Sequence, residues 1–213
     1  MKNLLLVVVS VLLVGTLSAQ NDRATFGLKG NVTKVKAPQE ESYELLGNND
    51  LEFSKTGKLL KVDGVEIAVE SYDDGTYYSI DFDDGGGMSF SRDNQGRIKD
   101  FFYYEGDGTD TLIYDSRGRL SRIISNVYYE AGYNYETGKD EPGRTEVGCD
   151  KKYYYDENDN LIKVVVNYPE EKKTYTVTYT YKEFDAAGNW TRRVANCLTM
   201  GIDNRVETRV LSY

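Results

Sequence analysis

The stretch Tyr114-Asp115-Ser116-Arg117-Gly118-Arg119-Leu120 predicts a strand, a tight turn and a second strand. The Asp115 carboxylate can accept hydrogen bonds from backbone N–H groups of the turn, and Gly118 can adopt a positive φ without Cβ strain. This chemistry is typical of a type I turn followed by a left-handed bulge residue. We expect Tyr114 and Leu120 to face each other on one surface of the resulting sheet.

The same pattern recurs, with substitutions, at residues 53–59, 92–98, 155–161 and 184–190. We number the five copies in chain order, so that residues 114–120 are unit 3. In unit 4 an aspartate replaces the expected glycine, and aspartate tolerates the left-handed conformation better than most residues. The predicted structural residues of the turns are Gly57, Asp93, Gly96, Tyr114, Asp115, Gly118, Tyr155, Asp156, Asp159, Phe184, Asp185, Gly188 and Trp190.

The pattern aromatic-Asp-x-x-Gly-Arg/Asn-Leu in these units resembles the YD repeat of the RHS and teneurin proteins. More closely, the chain resembles short secreted bacterial proteins that carry degenerate YD-like repeats. Residues 188–193 (Gly-Asn-Trp-Thr-Arg-Arg) are similar to the last unit of those proteins, and residues 27–32 are similar to their opening strand. The resemblance spans residues 26–213 and implies a β-hairpin repeat fold in an exported protein. It implies no catalytic residue, and the units are spaced unevenly where the long arrays of the family are near-regular.

Residues 1–20 have the order of a secretory signal peptide. Lys2 is the charged region, residues 4–14 are the apolar core, and Leu17-Ser18-Ala19 is a small-residue cleavage site before Gln20. The apolar run is too short to span a bilayer as a stable helix. We therefore predict a periplasmic or extracellular protein, with surface association left open, in which residues 21–213 form a single β domain.

The composition excludes several classes of function. The chain contains no His, which excludes Ser-His-Asp and Cys-His catalysis and His-ligated zinc. Residues 21–213 contain 25 basic and 35 acidic residues and so carry a net charge of −10, whereas nucleic acids and anionic lipids bind basic patches. Residues 61–66 (Lys-Val-Asp-Gly-Val-Glu) place charges on both faces of a strand, which a lipid-facing surface does not tolerate. We expect no nucleic-acid partner and no stable membrane insertion after signal cleavage.

Two features leave alternatives open. Cys149 and Cys197 are the only cysteines; they can form a disulfide if their strands are neighbours, and otherwise they are free thiols.

The acidic turns could bind calcium, and residues 156–160 begin like a calcium loop. However, Leu161 and Asn167 occupy the positions where that loop needs Gly and Glu. Because Asp and Gly are also the ordinary residues of hairpin turns, we assign no metal ligand and no cofactor.

The rest of the chain shows no convincing helical period, and strands follow one another through short turns. This pattern predicts an all-β antiparallel meander of consecutive hairpins, rolled toward a partial barrel or a YD-repeat-like spiral. Residues 174–181 alternate Thr with Tyr or Val, which predicts a buried Tyr/Val face and a wetter Thr face.

Three hairpin registers follow from the turn residues. A two-residue turn at Asp107-Gly108 predicts Tyr103 opposite Leu112 and Phe101 opposite Tyr114. A similar turn at Asp74-Gly75 predicts Val69 opposite Ile80 and Ile67 opposite Phe82. For the last long hairpin, the apolar rows predict Val166 opposite Val177 and Val164 opposite Tyr179.

For function, the sequence favours a non-catalytic scaffold or binding module whose partner is an unidentified protein or glycan. The alternative is a secreted glycan-acting hydrolase that uses paired carboxylates. A cleft with two opposed acids would favour the hydrolase, and a continuous exposed aromatic patch would favour the binding module.

Overall fold

The computed structural model describes residues 21–36, 44–46, 48–73, 75–82, 86–103, 108–129, 131–134 and 139–213. The predicted signal peptide, residues 1–20, lies outside this part of the chain, as do Asp74 and Asp107 of two predicted turns. No helix in the described part is long and apolar enough to cross a membrane.

The described residues form strands in three sheets. The smaller of the two main sheets contains β1 (Lys34–Lys36), β2 (Leu51–Phe53), β3 (Leu59–Val62), β4 (Val65–Glu66) and β18 (Val210–Ser212). The larger contains β5 (Ala68–Tyr72), β6 (Gly75–Asp81), β7 (Gly87–Arg92), β8 (Ile98–Tyr103), β9 (Gly108–Tyr114), β10 (Leu120–Tyr129), β13 (Arg144–Tyr155), β14 (Leu161–Tyr168), β15 (Lys173–Phe184), β16 (Trp190–Cys197) and β17 (Ile202–Thr208). The third sheet is the short hairpin of β11 (Gly132–Asn134) and β12 (Lys139–Glu141), and the helical pieces are α1 (Asp22–Thr25) and a 3-10 turn (Leu198–Met200).

Strand order confirms the predicted all-β antiparallel meander. The large sheet has the order β17-β16-β15-β14-β13-β10-β9-β8-β7-β6-β5, and the small sheet has the order β18-β1-β2-β3-β4. The large sheet is not closed into a barrel, since β5 and β17 are its edges in the described part. The chain passes between the two sheets at Ile67 and at Arg209, and the apolar residues of both sheets form one core.

The two faces of the last long hairpin are as predicted. Val164, Val166 and Val177 have no exposed surface. The four threonines of β15, at positions 174, 176, 178 and 180, are exposed. Successive side chains of a strand point to opposite faces, so the alternation in the sequence was sufficient to assign the core face.

The predicted registers are wrong by an even number of residues. Phe101 lies opposite Asp110 and Tyr103 opposite Gly108, because the connection comprises residues 104–107 and not a two-residue turn at 107–108. A shift of an even number leaves every side chain on its original face. The errors therefore change the cross-strand partners and not the core.

The other two predicted registers are each wrong by two residues. Val69 lies opposite Tyr78, since β6 already begins at Gly75. In the last long hairpin, Val166 lies opposite Tyr175 and Val164 opposite Val177. Here the strands extend to Tyr168 and Lys173, which leaves a four-residue loop, residues 169–172.

The two cysteines are free thiols, which corrects the alternative of a disulfide. Cys149 belongs to β13 and Cys197 to β16, and β14 and β15 lie between them. Three strand spacings correspond to roughly 14 Å, well beyond the Cα separation that a disulfide allows.

Candidate binding site

The turn of unit 3 is fixed by one aspartate. The Gly118 N–H donates to the Asp115 carbonyl at 3.0 Å, and the Asp115 N–H donates to the Arg119 carbonyl at 2.9 Å. Oδ1 of Asp115 accepts from the N–H groups of Arg117 and Arg119 at 2.9 and 3.0 Å. Gly118 has φ +78°, the left-handed conformation for which glycine is suited.

The other units contain closely similar turns. Oδ1 of Asp93, Asp156 and Asp185 each accept two backbone hydrogen bonds of the same kind. In unit 1, where serine replaces the aspartate, the Ser54 hydroxyl accepts from the Lys58 N–H at 3.0 Å. The residues at the left-handed position are Gly57 (φ +96°), Gly96 (+78°), Asp159 (+63°) and Gly188 (+81°).

The residues that flank each turn are cross-strand partners. The pairs are Phe53 with Leu59, Arg92 with Ile98, Tyr114 with Leu120, Tyr155 with Leu161, and Phe184 with Trp190. The second member of every pair is buried. Each turn therefore anchors one large apolar side chain in the core.

Tyrosine hydroxyls connect units 3, 4 and 5 each to the preceding unit. Tyr114 donates to the Ile98 carbonyl at 2.6 Å and Tyr155 donates to the Leu120 carbonyl at 2.7 Å. Phe184 lacks a hydroxyl, and Tyr181 donates to the Leu161 carbonyl in its place, at 2.5 Å. Burial raises the pKa of Tyr114 to about 12 and also raises the pKa of the other two phenols, so all three remain donors at neutral pH.

Four turn aspartates have lowered pKa values. Burial acts to raise the pKa of Asp93, Asp115, Asp156 and Asp185, but hydrogen bonds to the ionised carboxylate outweigh it. These bonds come from backbone N–H groups and from the Arg or Asn that follows the turn, and for Asp185 also from the Tyr213 hydroxyl. The ionised form is thus part of the folded turn.

Residues 21–32 run along all five turns, and we call this segment the N-terminal strap. Asp22, which is 1% exposed, accepts from the Leu59 N–H at 2.7 Å and pairs with Arg92 at 2.6 Å. Arg23, which is 3% exposed, donates to the carbonyls of Val32 and Ser54. Asp22 therefore joins units 1 and 2, and the adjacent Arg23 holds the strap to unit 1.

The strap continues to units 3, 4 and 5 in chain order. The Thr25 hydroxyl lies 3.3 Å from the Tyr114 hydroxyl. Lys29 Nζ donates to the Asn158 carbonyl at 3.0 Å, while the Lys29 backbone exchanges two hydrogen bonds with the Asn189 side chain. Because Asn189 is 1% exposed, these bonds are protected from water.

A partly enclosed cavity of about 70 Å³ lies beside the strap. Its walls are mostly apolar and aromatic, and they include Leu28, Leu45, Leu161, Tyr155, Tyr181 and Trp190. Charged residues reach it from separate elements: Lys29 from the strap, Glu44, Asp159 from unit 4, and Arg209 from the corner between the sheets.

Arg209 is a buried cation at the cavity wall. Its Nε donates to the Trp190 carbonyl at 2.8 Å, and its guanidinium carbon lies 4.1 Å from the Trp190 ring centroid. Arg193 lies 4.0 Å from the same centroid, so Trp190 is sandwiched between two guanidinium groups that cannot share one ring face. Burial disfavours the charged form and lowers the pKa of Arg209 to about 10. The charge of Glu44 acts to raise this pKa, and the charge of Arg193 acts to lower it.

The carboxylates at the cavity are bonded to arginines. Glu44 pairs with Arg193 at 2.8 Å, and Asp159 pairs with Arg119 at 2.6 Å and with Arg117 at 2.7 Å. No group of three or more Asp, Glu, Cys or His side chains in the described part is placed to hold a metal ion. The cavity thus offers aromatic surface and two cations: Lys29, whose Nζ already has acceptors, and Arg209.

An aromatic row, exposed at Tyr72 and half-buried at its other two members, lies on a different part of the surface, at the edge of the large sheet. The rings of Tyr72 and Tyr77 are 5.9 Å apart, and those of Tyr77 and Phe102 are 5.8 Å apart, both in edge-to-face geometry. The row begins on β5, an edge strand whose five residues are all exposed. Tyr72 itself is 60% exposed.

The sequence analysis did not identify the strap residues or the buried arginines as functional residues. The strap residues Asp22, Arg23 and Lys29 are isolated polar side chains whose partners lie up to 160 residues away. Arg193 could have been found, because it alternates with Ala195 and Cys197 and so shares the inward face of β16.

Comparisons with known proteins place few limits on the chain. No protein-family model matches it, and no curated protein matches it in sequence. Among solved structures it is similar to a chain of a mutant Tc holotoxin pore of Photorhabdus luminescens, with 15% identity and a TM-score of 0.21. That match covers 76% of the present chain and 9% of the toxin chain.

Proposed function

We propose that the protein is an exported, non-catalytic binding module built from YD-like hairpin repeats. Its partner is an extended segment of another protein, held at the edge of the large sheet. The observation that carries this proposal is the aromatic row on β5, β6 and β8 beside an exposed edge strand. The proposal rests on the chemistry of this surface and on the YD-like turn units.

An exposed edge strand is a template for strand addition. In the described part β5 pairs with β6 on one side, which leaves backbone N–H and C=O groups available on the other. A partner segment that adds a strand there gains main-chain hydrogen bonds, and the neighbouring side chains supply specificity. Tyr72 and Val69, which are 60% and 55% exposed and lie on opposite faces of β5, would contact partner residues on the two faces of the added strand.

The strap and the turn units support a scaffold role. The strap, the inter-unit tyrosine bonds and the turn aspartates fix the positions of the five hairpins relative to one another. A rigid support positions a binding edge without an ordering cost at the moment of association.

The test is a screen of peptide, protein and glycan arrays with purified residues 21–213. We expect binding to extended peptide segments, weakened by Val69→Lys, because a lysine on an edge strand opposes pairing with another chain. The matched control is Val206→Lys on the other edge strand, β17, where the side chain is 44% exposed. Binding to glycans alone, or loss of binding in both variants equally, would reject the β5 edge.

Two further measurements test the hydrolase alternative and the export proposal. Release of reducing sugar from a bound glycan would favour a glycan-acting hydrolase over a binding module. Mass spectrometry of the exported protein should give a chain that begins at or near Gln20; retention of residues 4–14 would contradict signal cleavage.

A further inference from the structure

The guanidinium group of Arg209 is incompletely satisfied. The side chain is 7% exposed, and its only hydrogen bond within the described residues runs from Nε to the Trp190 carbonyl. Nη2 is buried and has no acceptor. Buried donors are almost always paired. An unpaired Nη2 on a buried cation that borders a cavity therefore indicates a missing partner.

The surrounding charges do not supply that partner. Glu207, which is fully buried, pairs with Arg193 and Arg205 at 2.6 and 2.9 Å. Glu44 pairs with Arg193. This cluster therefore contains three arginines and two glutamates, and one positive charge is left at the cavity wall.

The cavity has the size and lining of a site for a small molecule. Its volume of about 70 Å³ is several times what one water needs, since one probe sphere occupies roughly 10–15 Å³. Leu28, Leu45 and Leu161 provide apolar walls, and Tyr155, Tyr181 and Trp190 provide aromatic ones. Ligand pockets typically combine such walls with a few polar groups that fix the orientation of the ligand.

We propose that this cavity binds a small organic anion, a monocarboxylate with an apolar chain, whose carboxylate accepts hydrogen bonds from Arg209. Arginine presents its donors in a planar fork that matches the geometry of a carboxylate. The apolar chain of the ligand lies against the leucine and aromatic walls. This site is separate from the β5 surface, and the inference stands whether or not that surface binds a protein.

Trp190 provides a direct reporter, because it is the only tryptophan of the chain and it contacts Arg209. The experiment titrates residues 21–213 with sodium butyrate and follows tryptophan fluorescence. Butan-1-ol and butylammonium chloride serve as neutral and cationic analogues, and sodium chloride controls for ionic strength. We expect a saturable change with butyrate, and none at the same concentrations with the other three.

Two variants locate the site. Arg209→Gln should weaken butyrate binding by roughly tenfold to a hundredfold, the effect of one charge-assisted hydrogen bond. Arg192→Gln, which alters an exposed arginine of β16, should leave binding unchanged. Leu45→Phe keeps the guanidinium and fills part of the cavity, and it should also abolish the fluorescence change.

Each outcome of the titrations either supports or overturns the proposed carboxylate site. An equal response to butyrate and butan-1-ol, no saturable response to butyrate, or unchanged binding in Arg209→Gln would overturn the proposal. If circular dichroism shows that Arg209→Gln does not fold, Leu45→Phe decides: loss of binding supports the site, and full binding overturns it.

Discussion

The two ends of the hairpins are built from different kinds of contact. At the end that carries the five turn units, the strap joins segments as far apart as Lys29 and Asn189. At the far end, Glu171 pairs with Lys173 two residues away, and the Lys172 N–H donates to the Pro169 carbonyl. The same strands thus end in a buried network on one side and in an exposed loop on the other. Long-range tertiary contacts fix the first end, and local turn chemistry the second.

The largest expected difference between the two ends comes from removing one ion-pair partner at each. Asp22→Ala should destabilise the fold by about 3–5 kcal/mol, because it removes the carboxylate that neutralises the buried Arg92 guanidinium. Glu171→Ala removes an exposed pair and should cost less than about 1 kcal/mol. Urea unfolding of both variants measures the two free energies, and equal losses would show that the strap does not stabilise the turn end.

A smaller effect is expected from a single turn aspartate. Asp115→Ala should cost about 1–2 kcal/mol, since the N–H groups of Arg117 and Arg119 lose their shared acceptor. Asp115→Asn keeps one acceptor oxygen and should recover part of that loss. If calorimetry gives the two variants the same unfolding free energy, the backbone bonds do not account for the stabilisation.

A smaller change in stability is expected from substitutions at the left-handed position of a turn at each end. Gly118→Ala should cost about 1 kcal/mol from the backbone alone, since nothing lies within 4 Å of the added Cβ. At the far end Lys172 has φ +52°, so Lys172→Gly should stabilise by up to about 1 kcal/mol. Thermal unfolding should shift in opposite directions for the two variants, and shifts in one direction would reject the conformational explanation.

The smallest expected effect is a dependence on pH. The lowered pKa of Asp115 means that its contribution to stability is present above the pKa of the unfolded chain and is lost as the pH falls through the folded value. The folded protein should therefore lose stability in acid, below about pH 4. Asp115→Asn should flatten this part of the profile relative to the unsubstituted protein, and parallel profiles of the two proteins would contradict the assignment.

The sequence was sufficient for features that depend on neighbouring residues. The Asp and Gly positions predicted where strands turn, and alternation predicted that Val164, Val166 and Val177 are buried. The registers failed because moving a turn by one position, or changing a loop length by two residues, keeps the same alternation, so the hydrophobic pattern alone does not distinguish the possible registers. The confirmed meander order, in which β14 and β15 lie between Cys149 and Cys197, is what excludes the disulfide alternative.

The candidate sites were less accessible to sequence reasoning. The strap and the cavity depend on residues that meet only after the sheets have formed, such as Arg209 and Trp190. Tyr72 and Tyr77 appeared as ordinary strand residues, since tyrosine is favoured in sheets whether buried or exposed. The exposure of Tyr72 follows from the position of β5 at a sheet edge.

The pairing of β1 with β18 has a consequence for the order in which the chain is made. Lys34 lies opposite Ser212, so the first strand cannot complete its hydrogen bonding until the last one has been synthesised. Contacts of such high sequence separation form slowly, although the added loop-closure entropy grows only gradually with length. A nascent chain is delivered from its N-terminus, so β1 keeps one edge unpaired until β18 has been synthesised. A ribosome that stops before Val210 releases a chain in which that edge of β1 stays open.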